Sequence, residues 1–158
     1  MKNLNWGILG PGRIANTFAT AGVKVDSANI IAVASRSVER AQGFANEFNI
    51  PKVYDDYGAM LADPELDIIY IATPHSFHYP QAKICLEAGK HVLLEKPVTI
   101  NAGQMQELTA LAKQKRLFLQ EAIWSRFMPC LAEVKKRIEQ GVIGDIQYIQ
   151  SDIGFAFQ

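Results

Sequence analysis

The run Ile68-Ile69-Tyr70-Ile71 has no polar alternation, and this limits the possible folds more than any other feature of the chain. A strand with one wet face alternates apolar and polar residues, whereas a continuously apolar strand needs cover on both faces. From Asn5 to about Glu121, short β-rich runs alternate with longer segments of helical period: Trp6 to Leu9, Ile30 to Ala34, Lys52 to Tyr54, Ile68 to Ala72, His91 to Leu94 and Leu117 to Glu121. That alternation predicts a doubly wound α/β architecture, a parallel sheet with helices on both faces.

The intervening segments carry their own signals. Tyr79, Ala82 and Leu86 share a helical face, and Gly89 is a suitable stop because glycine reaches positive φ without a Cβ penalty. Met105, Leu108 and Ala112 repeat the spacing, with Lys113, Lys115 and Arg116 at the end where positive charge suits the helix dipole. Ser37 and Asp55 are expected N-caps. Beyond Glu121 the pattern changes. Pro129 opens a helix with Leu131, Val134 and Ile138 on one face, Gly141 to Gly144 turns the chain, and Ile146 to Ile149 reads as a strand. The expected organisation is one domain over residues 1–121, with residues 122–158 the incomplete start of a second, too small to be stable alone.

Composition excludes several classes. Hydrophobic residues are 49% and charged residues 20%, the balance of a globular chain. Sixteen Lys and Arg against 16 Asp and Glu leave no net charge to attract nucleic acid or an anionic membrane. With no signal peptide or spanning run, a cytoplasmic location is expected. Cys85 and Cys130 lie in helical segments without metal-binding spacing, so neither a disulfide nor a metal site on them is expected.

Chemistry enters at Gly10-Pro11-Gly12-Arg13-Ile14-Ala15, a G-x-G-x-x-A run between an apolar strand and a helix. Gly10 permits the tight turn, Gly12 removes a side chain where backbone approaches pyrophosphate, and Ala15 keeps helix and strand close. The unpaired amides of the helix start then form an anion site. In this context the fold is of the Rossmann type, with the alternatives of a turn serving packing only or a different nucleotide-like ligand. The second strand ends Ala34-Ser35-Arg36 with no carboxylate to hold the ribose hydroxyls of NAD. Ser35 and Arg36 suit a 2′-phosphate, and Arg13 and Arg40 add positive charge, so NADP is expected over NAD. Arg36 as an ordinary solvated residue is the competing reading.

Two further strand ends face the same edge. One leads into Thr73-Pro74-His75-Ser76-Phe77-His78. Thr73 and Pro74 would shape the rim of the cofactor site, and His75 and His78 are candidate contacts or helix-start hydrogen-bonding residues. A histidine pair at i, i+3 is also a metal motif, but no supporting ligand accompanies it. The other end is Glu95-Lys96-Pro97, the sharpest local feature of the chain. Lys96 would point into the crevice as a cation for a substrate hydroxyl or carbonyl, and Glu95 would hold a ribose or orient Lys96. The plain alternative is a turn with two solvated charges.

These pieces, with Glu121-Ala122-Ile123-Trp124-Ser125-Arg126-Phe127-Met128-Pro129, resemble the Gfo/Idh/MocA family of nicotinamide-dependent oxidoreductases, in its dihydrodiol dehydrogenase and glucose-fructose oxidoreductase branch. The resemblance implies hydride transfer between nicotinamide and a secondary alcohol of a sugar, polyol or cyclic diol. It implies Lys96 as the catalytic lysine, often followed by a cis proline, here Pro97, and Glu95 beside the nicotinamide ribose. Trp124 and Arg126 would line the cleft, although Trp124 suits a buried packing position equally well. The resemblance further implies that residues 1–121 are a dinucleotide-binding domain and residues 122–158 the incomplete start of an α/β substrate domain, whose remainder would supply an Asp and His group and a homo-oligomer interface. Family members are about twice as long as this chain, so a fragment of a longer protein is expected, inactive alone. A non-catalytic nucleotide-binding or regulatory protein of the same fold is the alternative. A methyltransferase would leave Glu95-Lys96-Pro97 unexplained.

Overall fold

The computed structural model describes residues 3–152 and 154. In chain order the elements are β1 (Leu4–Leu9), α1 (Arg13–Gly22), β2 (Ala28–Ala34), α2 (Val38–Phe48), β3 (Lys52–Tyr54), α3 (Tyr57–Leu61), β4 (Ile68–Ile71), α4 (His78–Glu87), β5 (His91–Leu94), α5 (Ala102–Lys115), β6 (Leu119–Glu121) and α6 (Pro129–Glu139). Short 3-10 turns lie at His75–Phe77 and Trp124–Phe127. The strands form one sheet in the order β3-β2-β1-β4-β5-β6, every pair parallel. The strand order reverses between β1 and β4, the switch point where an open α/β sheet receives its ligand.

Continuous apolar strands work here because alternate residues serve two cores. Leu9, Ala34, Ile69, Ile71 and Leu94 pack with Met60 of α3, Ala82 and Leu86 of α4 and Leu108 of α5. Their neighbours Ile8, Val33 and Tyr70 face the other way, onto Ala15 and Ala19 of α1 and Ala41 and Phe44 of α2. Burying each large aliphatic side chain contributes about 1.5–3 kcal/mol. The Cys85 thiol is part of the first core, where burial pushes its pKa up to about 12, and it serves as packing.

A charged cluster closes the N-terminal edge of the strands. The Asp63 carboxylate accepts from Lys52 Nζ (2.7 Å), Tyr54 OH (2.9 Å) and Glu65 N (2.9 Å). Buried Lys90 donates to Asp63 O and Leu66 O. The Lys52 ammonium, with the Glu65 amide, holds Asp63 down at about 2. A depressed carboxylate stabilises the fold above the ordinary Asp range and loses that contribution as pH falls through about 2. With this edge occupied by its own ion pairs, the opposite edge is left for a ligand.

Several boundaries differ from expectation. β1 and β2 begin earlier, at Leu4 and Ala28, because Asn5 pairs with Asn29 through backbone register and an Asn29 Nδ2 to Asn5 Oδ1 hydrogen bond. β4 stops at Ile71 rather than Ala72. Leu117 belongs to the exit of α5, its amide bonded to Ala112 O behind a left-handed Arg116, so β6 starts at Leu119. Ser37 caps α2 as expected, accepting from Arg40 N, whereas the cap of α3 is Asp56, not Asp55; its carboxylate accepts from Ala59 N at 2.7 Å. Met105 is partly exposed while Leu108 and Ala112 are buried.

The chain divides into two units between Ala122 and Ile123. In the second, α6 begins at Pro129 and Gly141 to Gly144 turns the chain. The expected strand at Ile146 to Ile149 does not form. A strand needs a paired neighbour, and no described strand pairs with these residues. No helix among the described residues is long and apolar enough to cross a membrane.

Candidate nucleotide-binding and catalytic site

Gly10 leaves β1 with φ +88, its amide bonded to Ala34 O, and Gly12 N returns to Gly10 O. A Cβ on Gly10 would stand 2.7 Å from Thr73 Cγ2 and 3.2 Å from Ala72 O, so both conformation and space call for glycine here. Gly12 is the N-cap of α1 and supplies no side-chain cap, which leaves the first helix amides for an anion. Apart from its own chain neighbours, no described residue comes within 4 Å of a Cβ built on Gly12, so the space beside it is open. Gly10→Ala is therefore expected to weaken nucleotide binding at least about 10-fold and to cost about 1–3 kcal/mol of stability, read by calorimetry and urea unfolding. Unchanged binding would remove the turn from the site.

The open space is a cleft of about 580 Å³, lined by Gly10, Pro11, Gly12, Ser35, Arg36, Arg40, Tyr57, Thr73 and Pro74 among others. Ser35 is buried, and its Oγ accepts from Ser37 N, leaving its hydroxyl hydrogen for a ligand. The Arg36 guanidinium lies 5.3 Å from the centre of the Phe77 ring, and a small adjoining cavity holds Tyr57, Phe77 and Gln81. The nearest acid of α2 to this strand end, Glu39, is engaged by the Ser37 hydroxyl, whose hydrogen bond lowers its pKa. Arg13 does not line the cleft; with Arg40 it borders a neighbouring groove. Ile14 is exposed on α1, and Ala15 is wholly buried, so its part is the close helix-to-strand packing.

The residues after β4 separate into two roles. Thr73 Oγ1 donates to Gln81 Oε1, fixing the cleft wall, and His75 is exposed on its 3-10 turn. Of the two roles expected for His78, the structure gives it hydrogen bonding at a helix start and not a place in the cleft lining: it is fully buried, with Nδ1 2.7 Å from Pro97 O and Nε2 2.8 Å from Thr73 O. Both ring nitrogens are thus spent on the backbone. Among the described residues no three His, Cys, Asp or Glu side chains gather to hold a metal ion.

One strand along, Glu95 turns inward. Its Oε1 accepts from Tyr70 OH at 2.7 Å and its Oε2 from Lys96 N at 3.2 Å. Burial, reinforced by the Glu95 carboxylate, pushes the Tyr70 phenol pKa up, so it remains a donor. Lys96 is exposed, its peptide bond to Pro97 is cis, and among the described residues none accepts from its Nζ. Trp124 and Arg126 belong to the second unit and are exposed there. Tyr57, Tyr70, Phe77 and Gln81 were not in the expected set. Phe77 sits inside a motif already visible in the sequence, while the others come from elements whose orientation only the fold supplies.

The glycine turn, the switch-point cleft and the strand exits together define a dinucleotide-binding α/β enzyme scaffold. The chain belongs to the oxidoreductase family with an NAD-binding Rossmann fold, the Gfo/Idh/MocA family, whose profile matches residues 4–123. It is 44% identical over 154 residues to trans-1,2-dihydrobenzene-1,2-diol dehydrogenase of Mus musculus, and 37% identical over 153 residues to the Homo sapiens enzyme. Each alignment covers 96% of this chain but 46% of the relative, so the chain spans about half the length of those proteins. Similar solved structures include a 3-ketoreductase from Actinomadura kijaniata with NADP and TDP-benzene, at TM-score 0.85 and 31% identity over 92% of this chain and 45% of that one. Scyllo-inositol dehydrogenase from Lactobacillus casei, with NAD(H) and scyllo-inositol, matches at TM-score 0.84 and 29% identity over 91% and 43%.

Proposed function

We propose that the whole protein is an NADP-preferring dehydrogenase acting on a secondary alcohol of a cyclic diol, polyol or sugar. The observation that carries this reading is the single sheet edge bearing both the open dinucleotide cradle and the Lys96 ammonium, which is paired with none of the described residues. In this reading Gly10, Gly12 and the first amides of α1 hold pyrophosphate, and Ser35, Arg36 and Arg40 hold the 2′-phosphate. Tyr57 and Phe77 flank the adenine, with Thr73 and Pro74 at the rim and Glu95 near the nicotinamide ribose. When bound, the nicotinamide supplies the hydride acceptor or donor. Lys96 takes the hydroxyl proton or stabilises the developing alkoxide, while Glu95 sets the turn that carries it. Residues 122–158, which include Trp124 and Arg126, open the substrate domain, and His75 is a further contact. Assembly of copies through that domain is part of the same reading.

The relatives support the substrate class. One acts on a dihydrobenzene diol, one carries scyllo-inositol and one reduces a ketone. The test is a panel of cyclic diols, inositols and sugars offered to the whole protein with NADP and with NAD. Cofactor reduction by at least one secondary alcohol is expected. Tight NADP binding with no turnover across the panel would favour a non-catalytic nucleotide-binding protein.

A further inference from the structure

The turn bearing Lys96 has almost no backbone ladder of its own. The β5 pairing reaches Glu95, whose amide bonds to Ile71 O, and stops there. Lys96 N reaches only the adjacent Glu95 carboxylate, and Pro97 has no amide hydrogen to give. Side chains from two other elements take over. His78, the first residue of α4, meets Pro97 O through Nδ1 at 2.7 Å and is fully buried. Glu121, the last residue of β6, accepts from Val98 N through Oε1 at 3.1 Å. The other His78 nitrogen is on Thr73 O, the wall of the nucleotide cleft. Both carbonyls thus lie within hydrogen-bond distance of the one ring, and the tautomer sets which nitrogen donates.

We propose that His78 and Glu121 are positioning residues for Lys96, gripping the Pro97-Val98 turn from α4 and from β6 and tying it to the cofactor wall at Thr73. The inference rests on the functional reading of Lys96 above. Neither residue touches the reacting atoms. Their effect passes through the placement of the ammonium, and a displacement of about 1 Å at such a group is worth up to roughly 100-fold in rate.

Glu121 gives the cleaner test, because His78 is buried and its loss endangers folding. In the whole protein, Glu121→Ala is expected to slow single-turnover hydride transfer about 10-fold or more with NADP affinity nearly unchanged. Glu121→Gln, which keeps a carbonyl acceptor for Val98 N, should restore most of the rate. In a Lys96→Met background, Glu121→Ala should have no further effect, since the two act through one group. An independent readout needs no activity: hydrogen exchange at the Val98 amide should accelerate about 10-fold in Glu121→Ala and in any folded His78→Asn variant. Unchanged Val98 exchange, or rate losses that multiply fully with Lys96→Met, would overturn the proposal. If the unaltered protein turns over no alcohol, or Lys96→Met is fully active, the functional reading fails, and the exchange measurement still decides the grip.

Discussion

Replacing Lys96 with methionine is expected to lower hydride transfer at saturating cofactor and substrate by roughly 100-fold or more while NADP affinity stays within about threefold. Methionine keeps most of the side-chain length and removes the charge and the donors, so the change isolates the ammonium. That group stands exposed just beyond β5, whose Val92 and Leu94 are fully buried, with no described residue accepting from it. An interaction made only as the alkoxide develops lowers the rate when lost and leaves ground-state binding alone. A lysine that merely held the cofactor would give the opposite result, weaker nucleotide binding with turnover preserved at saturation. Cofactor affinity and single-turnover transfer measured in the same variant separate the two.

Arg36→Ala is expected to weaken NADP binding about 10-fold to 100-fold and NAD binding far less, because a charge-assisted hydrogen bond is worth about 1.5–3 kcal/mol. The exit of β2 offers Ser35, with a free hydroxyl hydrogen, and the Arg36 guanidinium, while Glu39 is turned onto Ser37. A 2′-phosphate placed there meets the Ser35 hydroxyl and the Arg36 guanidinium as donors. Calorimetric titration of both cofactors into the unaltered and altered proteins checks this. A parallel loss of both would place Arg36 on the adenine, consistent with its position beside Phe77, and equal affinities in the unaltered protein would defeat the NADP preference.

Much of this architecture is legible in the sequence because its signals are local. The run Ile68 to Ile71 requires two cores, and the structure divides it between them, Tyr70 on one face and Ile69 and Ile71 on the other. Gly10 demands a positive φ and has one. Less local features are not legible there. His78 reads equally as a ligand contact or as a hydrogen-bonding residue at a helix start, and only the fold brings Pro97 O and Thr73 O to its two nitrogens. Tyr70 reads as an apolar strand residue, yet its hydroxyl reaches across to β5 and holds Glu95. Ile146 to Ile149 has strand composition, but composition does not supply a pairing partner. Asp55 and Asp56 are equivalent as capping side chains, and the backbone path alone chose the second.

The central claim is that one edge of this sheet brings a nicotinamide cofactor to a secondary alcohol. Its most direct test uses a cyclic diol or inositol deuterated at the carbinol carbon, incubated with the whole protein and NADP, followed by mass spectrometry of the reduced cofactor. Deuterium transferred to the nicotinamide ring, and lost to background in Lys96→Met, is the expected result. Binding of NADP with no label reaching the ring from any secondary alcohol tested would contradict the account.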